Sequence, residues 1–98
     1  MYNHKDATET LEIFTKALGA EAVSVIDSWS EHSMASAHFI LGALRGSATI
    51  TSHFTPGLIR ASVWTTDSEI VRVTAPAAIA LATVNMAIAQ HSLDAASE

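Results

Sequence analysis

An α+β domain is the fold class this sequence predicts, with two or three helices packed on one side of a three- to four-stranded antiparallel sheet, in the order α-β-α-β-β-β-α. Three observations predict it. Helically spaced apolar residues follow a capping signal near the start, the hydrophobic period changes to two between Ser47 and Thr74, and the segment from Ala75 to His91 is apolar on more than one side. The chain has 98 residues, of which 49% are apolar and 15% charged, a balance that suits one folded domain over 1–98 with frayed ends near 1–5 and 94–98.

In the first element, Asp6-Ala7-Thr8-Glu9 resembles a capping box, in which Asp6 meets free backbone amides and Glu9 reaches back. Leu11, Phe14 and Leu18 continue at helical spacing, and Gly19 stops the helix, which is expected over about 7–18. Ala22 to Ile26 is short and β-branched, so it reads as a strand. Residues 29–44 are ambiguous. Ser28-Trp29-Ser30-Glu31 makes a second capping box, and a helix would gather Trp29, Ala37, Ile40, Leu41 and Leu44 on one face. Three serines and Gly42 oppose a helix, and Ala35 to Leu41 as an extended strand is the alternative. Helix is favoured.

Strand-like runs then cover Ser47 to Phe54, Leu58 to Thr65 and Glu69 to Thr74, separated by Thr55-Pro56-Gly57 and Thr66-Asp67-Ser68, which predicts a meander. Burial of the apolar positions selects the register: Ile50, Phe54, Ile59, Val63, Val71 and Val73 face the core, and His53, Arg60, Ser62, Trp64, Ile70 and Arg72 face away. Thr74-Ala75-Pro76 opens the last helix, because proline is tolerated in a first turn. At about 100° per residue, Ile79, Met86 and Leu93 form one stripe of this helix and Leu81, Val84 and Ile88 another. The first stripe is assigned to the sheet, and the second, Leu81, Val84 and Ile88, either to the first two helices within the monomer or to an interface with another copy, the latter being the interface set.

The absence of cysteine excludes disulfides and thiolate chemistry. Net charge is −5, but it is segregated: residues 1–31 hold six carboxylates against Lys5 and Lys16, and residues 32–66 hold none, only Arg45, Arg60 and three histidines. No secretory signal core is present and the last apolar segment is interrupted by Thr83 and Asn85 before it could span a bilayer, so a soluble cytoplasmic protein with no membrane partner is expected, and the acidity argues against nucleic acid. Five histidines raise the question of a metal, yet His32 and His38 point apart on a helix, and on a strand they would share a face. No metal and no cofactor are expected. Neither a Gly-x-Ser-x-Gly elbow nor a phosphate loop is present, and the expectation is a protein that is not an enzyme.

The constellation that remains is the outer sheet face, with Trp64, Arg60, Arg72 and His53, Arg60 standing opposite His53 in the inferred pairing. Tryptophan and arginine are the residue types that dominate binding hot spots. The functional expectation is a self-associating protein-binding module, an adaptor or an inhibitor of the kind that mobile elements encode, anti-CRISPR-like inhibitors included. A domain binding a small ligand or anion on the outer face is the alternative, with an enzyme of unrecognised type behind it.

Overall fold

The computed structural model of the chain describes residues 3–29, 33–55 and 57–96. Helix α1 (His4–Leu18) is followed by five strands, β1 (Ala22–Asp27), β2 (Met34–Leu41), β3 (Leu44–Thr51), β4 (Leu58–Trp64) and β5 (Glu69–Pro76), and by helix α2 (Ala77–Ala96). The class is the expected α+β, with one five-stranded antiparallel sheet in the order β1-β2-β3-β4-β5. Helix α1 lies over β2 and β3, and α2 over β5 and β4, so both helices occupy one side of the sheet.

Helix α1 starts three residues before the predicted position because its cap is Asn3, not Asp6. The Asn3 side-chain oxygen accepts from the Asp6 backbone N–H at 2.9 Å, satisfying one of the amides that a helix start leaves unpaired. Gly19, at φ 72°, closes the helix in the left-handed conformation, its N–H donating to the Lys16 carbonyl. Ala7, Leu11 and Phe14 form the buried stripe.

The helix favoured over 29–44 is corrected to the alternative: its described part is the β2–β3 hairpin. Ser30, Glu31 and His32, and with them the second capping box, lie outside the described residues. Ser33 has a positive φ of 52°, which turns the chain out of any helical path before β2 begins. Extended, β2 buries Ala35, Ala37 and Phe39 together, whereas a helix would scatter them. Gly42, at φ 62°, occupies the first position of the two-residue turn into β3, where a type II′ hairpin requires positive φ.

Register follows apolar burial. Ala37, Ala48 and Ala61 stand opposite one another across three strands and are buried beneath the helices, while Ile50 and Ile59 fill the neighbouring positions. Phe39 stands opposite Gly46, and its ring lies across the space a glycine side chain leaves open. Phe54 falls in the β3–β4 connection and is only partly buried. The run predicted from Ser47 stops at Thr51, and Pro56 of the predicted turn is outside the described residues.

In α2 the two stripes are exchanged relative to expectation. Ala80 and Val84 are buried, Leu81 and Ile88 pack against the core, and Ile79, Met86 and Leu93 point outward. Small residues allow the helix to sit close on β4 and β5, whereas the larger stripe would hold it off. Pro76 ends β5 instead of opening the helix, and the first helical amide, from Ala77, donates to the Gly57 carbonyl at 2.8 Å. Among the described residues, no helix is long and apolar enough to cross a membrane.

Candidate functional site

The side of the sheet away from the helices is covered by neither α1 nor α2. Cross-strand pairing arranges its residues in rows. One row runs Ile40, Arg45, Trp64, Glu69; the next runs Ser24, His38, Ser47, Ser62, Arg72; a third runs Ile26, Ser36, Thr49, Arg60, Thr74. Hydroxyl groups occupy the middle of this face. Ser36 is the one polar group well buried there, and its Oγ lies 2.9 Å from Thr49 Oγ1, which satisfies it.

All three arginines of the chain stand on this face, with Glu69 as the carboxylate paired into it. Arg72 is occupied: its Nε and Nη2 donate to Glu69 Oε2 at 3.2 and 3.0 Å. The bulge between Val63 and Trp64 allows this, since it brings Glu69 opposite Trp64 and leaves Ile70 as the extra residue. Arg60 is partly held, with Nε 3.4 Å from Thr74 Oγ1 and its guanidinium 5.6 Å from the Phe54 ring centroid. Arg45 is exposed, and its side chain makes no hydrogen bond or ion pair with a described residue. It stands beside Trp64, which is half-buried, and a shallow depression of about 270 Å³ lies here, bordered by Ser24, His38, Ile40, Arg45 and Trp64.

The predicted binding set is thus partly gathered. Trp64, Arg60 and Arg72 share the open face. His53 does not: it lies exposed in the turn after β3, and the residue opposite Arg60 is Thr49. The interface assigned to Leu81, Val84 and Ile88 is corrected, because these residues pack on this chain's own core. Arg45 and His38 belong to the face but not to the predicted set: a helix over 29–44 takes His38 out of the sheet and makes Arg45-Gly46 its terminus, so the next strand begins only at Ser47. Their signal was the alternation of Ala35, Ala37 and Phe39 with Ser36, His38 and Ile40.

A second cluster ties the start of α1 to the end of β1. The His4 Nε2 meets the Asp27 carboxylate, and the His4 ring stacks at a tilt on Trp29, with centroids 5.9 Å apart. The hydrogen bond from His4, then that from the Trp29 backbone N–H, holds the Asp27 carboxyl below its ordinary 3.8. A carboxyl lowered in the folded state contributes stability fully above 3.8 and loses it as pH falls through the lower folded value. His4→Ala should therefore move the Asp27 titration upward, read by carboxyl NMR; an unmoved midpoint would refute the pairing. These contacts clip the start of α1 to the end of β1. His38, His53 and His91 lie on separate elements, His32 is outside the described residues, and no three metal-ligating side chains converge among those described.

No protein-family model, curated protein or solved structure matches the chain significantly, so geometry alone carries the functional reading.

Proposed function

We infer that this protein is a binding module whose open sheet face engages an acidic protein surface. One observation supports the reading above others: a chain of net charge −5 places its three arginines and Trp64 on a sheet face that neither helix covers. Arginine contributes several donors in a fixed fork and tryptophan a large rigid area, the pairing that recurs at interface centres. The acidic residues Asp6, Glu9 and Glu12 lie on α1, on the other side of the molecule, so the field of the sheet face favours anionic partners and orients their approach.

A small anion at the depression beside Arg45 is the second reading. Its volume, about 270 Å³, falls just under the range of roughly 300–1,000 Å³ typical of small-molecule sites, and it is open and shallow. A flat face five strands wide suits a macromolecule better. The module acts by occupying its partner's surface, as an adaptor or an inhibitor does.

The test is capture from the native source with wild-type protein and with an Arg45→Ala, Trp64→Ala double variant. Both side chains are outside the helix-covered core, so the variant should keep the wild-type circular dichroism spectrum. A protein captured by the wild type in a salt-sensitive manner and lost by the variant is the expected result. Equal capture by both would defeat the reading, and so would a face that binds inorganic phosphate by NMR but retains no protein.

A further inference from the structure

We propose that two copies of this chain associate through α2, antiparallel, along the seam Ile79, Ala82, Met86, Ala89, Leu93, Ala96. These positions recur at alternating intervals of three and four, the a and d positions of a heptad. All six are exposed, the large ones heavily so: Ile79 is 57%, Met86 74% and Leu93 65% exposed. They lie on the side of α2 opposite Ala80 and Val84, its two buried residues, and none of the described residues beyond Val84 in this helix is buried. With principal extents of 46 × 22 × 21 Å, the molecule is elongated, consistent with a 20-residue helix of about 30 Å.

Residue sizes choose a second copy and its direction. Every a position is large and every d position is alanine. In a parallel pair, like meets like, so wide layers such as Met86 on Met86 would alternate with narrow ones of alanine on alanine. In an antiparallel pair each a meets a d. Ile79 then faces Ala96 of the second copy, Ala82 faces Leu93, and Met86 faces Ala89, giving six layers that each hold one large and one small side chain. The surface is complementary to itself, as a two-fold interface requires.

Charge agrees. Self-association of an acidic chain brings like charges together, yet no Asp, Glu, Lys or Arg occurs between Ala77 and Leu93. The flanking positions are Thr83, Asn85, Gln90 and Ser92, all neutral. The exposed edge of β1, which carries Val23, Val25 and Ile26, is a poorer site for a second copy. Antiparallel pairing of two such edges about Ser24 would set Glu21 opposite Asp27, and flanking charges of this kind block edge pairing. Two helices in contact along the seam bury on the order of 1,000 Å² in total, the lower edge of specific interfaces, which sets the expectation of a reversible dimer of about micromolar affinity. Such a dimer leaves both open sheet faces outward and makes the module bivalent.

Sedimentation equilibrium from low micromolar to millimolar concentration should show a monomer–dimer equilibrium. Met86→Glu, at a fully solvent-facing position beside the dyad, should weaken it at least about 100-fold while leaving the circular dichroism spectrum unchanged. Direction is read by cross-linking, which is clean because the chain has no cysteine. A short bismaleimide should join Thr83→Cys to Gln90→Cys protein when the two are mixed, and should not join Thr83→Cys protein to itself. A wild type that stays monomeric, a Met86→Glu protein that dimerises as well as the wild type, or self-linking of Thr83→Cys in place of the mixed product would each overturn the proposal. The seam and the sheet face are on opposite sides, so loss of the dimer and loss of partner capture are separable results.

Discussion

Replacing Gly46 by alanine is expected to cost about 1–3 kcal/mol of stability, the range found when a methyl group is forced into a filled core. Gly46 is a regular strand residue with Phe39 opposite. A β-carbon there would stand 2.9 Å from the Ser62 carbonyl oxygen and overlap the edge of the Phe39 ring. The ring can yield only by leaving its rotamer, and the carbonyl only by distorting the β3–β4 ladder. Relief of glycine's conformational freedom acts in the opposite direction, by about 0.4–1 kcal/mol, and is the smaller term. For a domain of this size each kcal/mol lowers the melting temperature by roughly 4–8 °C. A Phe39→Leu, Gly46→Ala double variant should be more stable than the sum of the single changes predicts, since the shorter side chain removes the ring from the overlap. An alanine variant melting with the wild type would show that the ring does not rest on Gly46.

That contact illustrates what the sequence makes legible. Strands β3, β4 and β5 are readable because Ile50, Ile59, Val63, Val71 and Val73 are β-branched residues at period two, and a one-residue slip would expose them all. Strand β2 mixes Met, Ala, Ser, His, Phe, Ile and Leu, with Ile40 its one β-branched residue, so local preference does not separate strand from helix. What decides it is tertiary: its alternate residues find the Ala48 and Gly46 positions of β3 to pack beside, and Gly42 makes the turn that brings them there. A helical period over 29–44 takes His38 out of the sheet and starts the next strand only after Arg45, so one wrong period removes two of the five residues His38, Arg45, Arg60, Trp64 and Arg72 from the outer face. Trp64, Arg60 and Arg72 stay in the site because the period-two alternation puts them on the outer face, although the pairing differs from the inferred one: Thr49, not His53, stands opposite Arg60. His53 was placed by extending that alternation past Thr51, where the ladder has already ended.

The orientation of α2 was not legible for a different reason: apolar residues occupy both sides, and hydrophobicity alone cannot rank them. Size does. Val84 and Ala80 are completely buried against the sheet, whereas Met86, two residues from Val84, is 74% exposed. Aspartate at the two positions tests this directly. Helix propensity works against this contrast and not for it: methionine is the better helix former, so aspartate's propensity penalty falls on position 86 and amounts to no more than about 0.5 kcal/mol. Val84→Asp places a carboxylate between α2 and strands β4 and β5 with no cation in the buried core to pair with it, and should cost upward of about 4 kcal/mol. Total stabilities of about 5–15 kcal/mol leave little after such a loss, so this variant should be largely unfolded at physiological temperature. Met86→Asp, studied in dilute solution where the monomer predominates, should stay within about 0.5 kcal/mol of the wild type. The reverse outcome, a folded Val84→Asp and an unfolded Met86→Asp, would turn the helix by half a rotation. Ile79, Met86 and Leu93 would then belong to the core, and the self-complementary seam would no longer be available to a second copy.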